Sequence, residues 1–123
     1  MLESADPRYV KVIADVTHLA LGGSDPAEVI RTYRQRLCFL HLKDVRKQMA
    51  TMARQDRNLV EAKGPPLCEI GLGTFNFGAV VQALRTVRFN GWVVVELDSG
   101  NSTLGDPDAS TAKNRDALRK IGF

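Results

Sequence analysis

Two cysteines and a single tryptophan in 123 residues already exclude several classes of protein. Cys38 and Cys68 have no C-x-x-C spacing and lie in apolar surroundings. Free buried thiols in a reducing compartment are expected, not a zinc cluster or a disulfide scaffold. The opening M-L-E-S-A-D-P-R-Y has neither a basic leader nor an apolar one, and no stretch approaches the length of a membrane span. No membrane is expected as a partner, and the expected location is cytoplasmic. Charge of one sign is also scarce, with 17 Lys and Arg against 14 Asp and Glu for a net +3. The basic residues form no stripe with interleaved aromatics, so nucleic acid is not an expected partner. No repeat, low-complexity tract or G-x-G-x-x-G is present.

What remains is a chain with 44% hydrophobic and 25% charged residues, ordinary for one globular domain. Its clearest stretch is Cys38 to Arg46, C-F-L-H-L-K-D-V-R, an apolar run with His41 inside it and charge arriving at Lys43. Such a run reads as a buried strand, with Phe39, His41 and Lys43 on one face and Cys38, Leu40 and Leu42 on the other. A histidine there has to be hydrogen-bonded internally or bound to something. Val10 to Val16 and Trp92 to Asp98 read as two further strands. Thr17, His18 and Gly22-Gly23 read as a loop. Asp25-Pro26 with Glu28 opens a helix carrying Val29, Ile30 and Tyr33 inward. Residues Asp44 to Lys63 are helix-compatible around Val45 to Leu59, as a helical excursion or a loop, with Met49 and Met52 on a solvated face. A glycine-punctuated segment, Leu67 to Asn76, leads to a helix over Phe77 to Arg88, and a terminal helix runs through Lys120. Gly71-x-Gly73 resembles a phosphate-binding turn but lacks its context, so plain loop geometry is expected. Trp92 is expected to pack at the base of its strand. Strand and helix alternate three times, which predicts an α/β fold with a covered parallel sheet.

Asp15, His41 and Glu96 each fall near the C-terminal end of one strand, where βα loops build sites in parallel α/β folds. A carboxylate such as Glu96, flanked by Val94 and Val95, is costly to bury alone. Each residue also has a plain reading, as a satisfied core histidine or a helix cap. Three on successive strand ends together suggest a mixed N/O site for a divalent ion: manganese, magnesium, cobalt or zinc.

The segments A-D-V-T-H (Ala14 to His18), G-G-S-D-P (Gly22 to Pro26), F-L-H-L-K-D-V (Phe39 to Val45), I-G-L-G-T-F-N-F (Ile70 to Phe77) and G-W-V-V-V-E-L-D (Gly91 to Asp98) follow in order. Together they resemble the C-terminal part of the sugar phosphate isomerase/epimerase family, the xylose isomerase-like TIM barrels. The resemblance implies a partial (β/α)8 barrel made of its last three βα units, with residues 1–123 as one incomplete domain. A complete barrel takes roughly 250 residues. It implies metal ligation by Asp15, His41 and Glu96, with Glu96 also an acid/base group, and substrate contact by His18. Lys43, Asp44 and Arg46 match charges at the rim of the site. Thr17 stands where the family usually has glycine.

The implied chemistry is metal-assisted proton transfer through an enediolate on a keto or aldo sugar, or elimination of water as in inosose dehydratases. The family's first glutamate, a ligand and the second acid/base group, is not among these residues. The chain alone is therefore expected to turn over little, or to be a non-catalytic remnant. Open sheet edges suggest self-association.

Overall fold

The computed structural model describes residues 2–47, 67–97 and 105–123. Strand β1 (Val12–Asp15) runs directly into helix α1 (Val16–Leu21), and α2 (Pro26–Thr32) follows. Then come β2 (Leu37–Leu42), β3 (Asp44–Val45), β4 (Leu67–Cys68), α3 (Phe77–Thr86), β5 (Trp92–Val95) and α4 (Pro107–Ile121).

β1, β2 and β5 form a parallel sheet with β2 in the centre. The fold is α/β, and the described strands do not close into a barrel. β3 and β4 pair separately and antiparallel, Asp44 opposite Cys68 and Val45 opposite Leu67. The glycine-punctuated segment that leads to α3 thus begins with a strand.

One face of the parallel sheet packs on helices. Ala14, Leu40 and Leu42 point into a core with Ile30 of α2 and Val80, Ala83 and Leu84 of α3. Leu40, Leu42 and Ile30 are wholly buried. Each of these side chains stabilises the fold by about 1.5–3 kcal/mol in transfer alone. Among the described residues the opposite face is open. Ile13, Phe39 and Trp92 lie side by side across it in register, and Ile13 is 61% and Trp92 75% exposed. The expectation that Trp92 packs at the base of its strand is therefore wrong: its side of the sheet has nothing in front of it among the described residues. Cys38, expected buried, is exposed at the start of β2, with its Sγ 3.5 Å from the Val12 carbonyl oxygen. Cys68 is buried as expected.

Local chemistry sets the boundaries. The first strand is shorter than the expected Val10 to Val16. A turn in which Tyr9 and Val10 both donate to the Asp6 carbonyl precedes it, and a helix follows it. Thr17 and His18 lie in that helix, not in a loop, because Asp15 caps it: Oδ1 accepts from the Thr17 and His18 amides at 3.1 and 3.0 Å. Asp25 caps α2 by accepting from the Ala27 amide, with Pro26 in the first turn. The expected excursion over Val45 to Leu59 is described only at Val45, in β3, and at Arg46 and Lys47, and its remainder lies outside the described residues, as do Met49, Met52 and Asp98.

Candidate functional site

Register brings the site together. Asp15 stands opposite His41 across β1 and β2, and His41 stands opposite Val94 across β2 and β5. Two residues further on, the Glu96 amide continues the ladder by donating to the Leu42 carbonyl at 3.0 Å. Side chains alternate along a strand, so His41 and Lys43 share the open face, and Asp15, Val94 and Glu96 line it from either side.

His41 Nδ1 lies 3.1 Å from Glu96 Oε2 and 4.0 Å from Asp15 Oδ2. One donor atom from each of the three residues falls within 4.8 Å of the others. Phe39 props the imidazole, ring edge to ring face at 5.2 Å between centroids. Glu96 Oε2 is buried, and among the described residues no hydrogen bond of acceptable geometry reaches it. The Lys43 ammonium 3.2 Å away offsets part of its charge, and a bound cation would meet its lone pair directly. Ligands sharing one ion at about 2.0–2.2 Å stand about 3–3.5 Å apart. The His41–Glu96 pair already has this spacing, and the donor set suits a divalent ion.

Lys43, expected at the rim, lies inside. Its side chain is 8% exposed, with Nζ 3.4 Å from Asp15 Oδ2 and 3.2 Å from Glu96 Oε2. Burial alone would pull the Lys43 pKa down, but the Glu96 and Asp15 carboxylates outweigh it and the pKa is raised. Thr17, buried at the start of α1, donates its hydroxyl to the Lys43 carbonyl oxygen. Thr17 thus ties α1 to the end of β2. His18 stands 68% exposed at the mouth, its Nε2 3.7 Å from Asp15 Oδ2.

The other two residues expected at the rim are used elsewhere. Asp44 is 1% exposed, not a solvated rim charge. Its Oδ2 accepts from the Gly71 and Gly73 amides at 2.9 and 3.0 Å, and its Oδ1 from Val45 and Phe75 at 2.8 and 3.2 Å. The Gly71-x-Gly73 turn therefore encloses the chain's own carboxylate where a phosphate would sit. Arg46 directs its Nε to the Leu67 carbonyl oxygen at 3.0 Å, fastening β4. Glu69 is wholly buried and accepts from the Ser110 hydroxyl at 2.8 Å, joining the loop to α4.

The sequence profile of the xylose isomerase-like TIM barrels matches residues 1–121. The chain belongs to that family. Among curated xylose isomerase-like relatives, the inosose dehydratase of Geobacillus thermodenitrificans is 30% identical over 122 residues, 98% of this chain and 41% of that protein. The inosose dehydratase of Lacticaseibacillus casei is 30% identical over 100 residues, 80% of this chain and 34% of its own length. The chain thus spans well under half of these relatives. Among solved structures, the apo 3-keto-D-glucoside 4-epimerase of E. coli superposes with a TM-score of 0.60 at 23% identity, over 92% of this chain and 33% of that one. That likeness is one of fold.

Proposed function

We propose that this chain carries the C-terminal part of a divalent-metal site that moves a proton next to a carbonyl on a polyhydroxylated substrate. The convergence of Asp15, His41 and Glu96 carries the reading. Asp15 Oδ2, His41 Nδ1 and Glu96 Oε2 would hold the ion. When bound, it would polarise a substrate carbonyl and so lower the barrier to removing the adjacent proton. Glu96 would take or return that proton, while His18, exposed at the mouth, would contact substrate oxygens.

Epimerisation and dehydration share this first step and part after it. Return of the proton gives an isomerase or epimerase; loss of a neighbouring hydroxyl gives a dehydratase. Relatives named as inosose dehydratases and a fold neighbour named as a keto-glucoside epimerase support both branches. Manganese, magnesium, cobalt and zinc all remain suitable ions, and a sugar or sugar phosphate is the proposed substrate class.

The test follows deuterium entry from heavy water into inosose and into a 3-keto-glucoside, with manganese present. A polypeptide that also carries the preceding strands should catalyse exchange, and Glu96→Gln in it should lower the rate by about 10²–10⁴-fold, the usual worth of one acid/base group. The 123-residue chain alone should exchange little. Loss of water marks the dehydratase branch. Undiminished exchange in the Glu96→Gln protein would overturn the assignment of Glu96.

A further inference from the structure

The atoms that would bind a metal are already in use. Lys43 Nζ reaches Asp15 Oδ2 and Glu96 Oε2, the same two oxygens that face His41 Nδ1. The second Asp15 oxygen is committed to capping α1, so Asp15 has one oxygen to offer any cation on this face. We infer that the Lys43 ammonium is the resident counter-cation of the Asp15–Glu96 carboxylate pair, and that a divalent ion binds here by displacing it. The inference rests on the metal-site reading above and concerns what that site must give up to be filled.

Three features support exchange over coexistence. Two carboxylates and an ammonium leave the site one negative charge. A divalent ion added beside the ammonium would turn that into one net positive charge in a half-buried cluster, whereas withdrawal of the ammonium leaves the cluster neutral. Nζ stands at 3.2 and 3.4 Å from the same oxygens that an ion would need at about 2.0–2.2 Å, so the two cations compete for the same lone pairs. Room to move is there as well: among the described residues the same sheet face is uncovered at Ile13 and Trp92, and a lysine stem is long and flexible. The backbone need not follow, since the Thr17 hydroxyl holds the Lys43 carbonyl.

The experiment titrates manganese into the 123-residue chain, its Lys43→Met and Lys43→Gln variants, and His41→Ala. Melting temperature is recorded in EDTA and at saturating manganese. Removing the competing charge should tighten manganese binding about tenfold in both Lys43 variants, the change that one ion pair of about 1.4 kcal/mol would make. The same variants should melt below the parent in EDTA, and the gap should close at saturating manganese, because Lys43 no longer pairs once the ion is in place. Lys43→Arg, which keeps the charge, should bind within about twofold of the parent. A Lys43 side chain that only packs would leave the same melting gap in both conditions and no gain in affinity, which overturns displacement. If a Lys43 variant is unfolded in EDTA, refolding by manganese supports displacement and failure to refold opposes it. A parent and His41→Ala that bind manganese equally would instead remove the metal-site reading, whatever the Lys43 variants do.

Discussion

The Asp44 carboxylate occupies the space that any side chain at residue 73 would need. A Cβ built on Gly73 would collide with Asp44 Oδ1 and with the Val45 carbonyl oxygen. The two positions are therefore one device: a glycine loop closed around a buried anion. Asp44→Asn places an NH2 group against amides that are themselves donors and should cost about 2–4 kcal/mol. Gly73→Ala should cost about 1–3 kcal/mol by overpacking. Because the two share contacts, the double variant should lose less than the sum. Urea unfolding of the three proteins checks this, and full additivity would refute the shared device.

The Thr17 hydroxyl bridges α1 to the Lys43 carbonyl oxygen just beyond β2. Thr17→Val keeps the shape and leaves that carbonyl unpaired, for a loss of about 1 kcal/mol. If the bridge steadies the site as well as the fold, manganese affinity should fall with it. Stability lost with unchanged affinity would confine Thr17 to the fold.

The two thiols should behave oppositely. Cys38 is exposed, whereas burial, helped by the nearby Asp44 charge, pushes the Cys68 thiol up to about 11. At pH 8, iodoacetamide should label Cys38 and spare Cys68, as mass spectrometry of the labelled native chain would show. The sign for stability follows. The folded state holds the Cys68 proton more tightly than the unfolded one, so this contribution is present below pH 9.0 and is lost as pH rises towards about 11. The stability difference between the parent and Cys68→Ala should therefore shrink across that interval, and a constant difference would contradict it.

Trp92, the only tryptophan, reports on the open face. Acrylamide should quench its fluorescence nearly as well as that of a free tryptophan derivative at low protein concentration. Quenching that weakens as concentration rises would mean that a second copy covers the Ile13–Phe39–Trp92 row, a contact through the sheet face instead of the open edges expected from the sequence. Strong quenching at every concentration would count against that surface as the contact.

Much of this architecture was legible in the residues. The β-branched and apolar runs announced the three parallel strands, and the strand-end positions of Asp15, His41 and Glu96 announced that they would meet. Three things were not legible, for physical reasons. His18 fell in a helix because a strand-end aspartate can cap at once, with no intervening loop. Trp92 and Cys38 came out exposed because alternation along a strand says which side chains share a face and not whether anything covers it. Lys43 and Asp44 are adjacent charges with opposite fates. One turns into the site on the face that alternation shares with His41, and the other into the glycine loop, which the pairing of β3 with β4 brings up to it.

Asp15 divides its labour by atom, and that has a consequence for how it would look in genetics. Oδ1 holds the first turn of α1 and Oδ2 faces the cations. An alanine scan would merge the two and score Asp15 as a folding residue, hiding its chemistry behind about 1 kcal/mol of lost capping. Asparagine keeps an oxygen for the cap while removing the charge, so Asp15→Asn should be a separation-of-function allele. Mutations that strengthen α1 should then suppress the alanine defect in folding and leave the asparagine defect untouched.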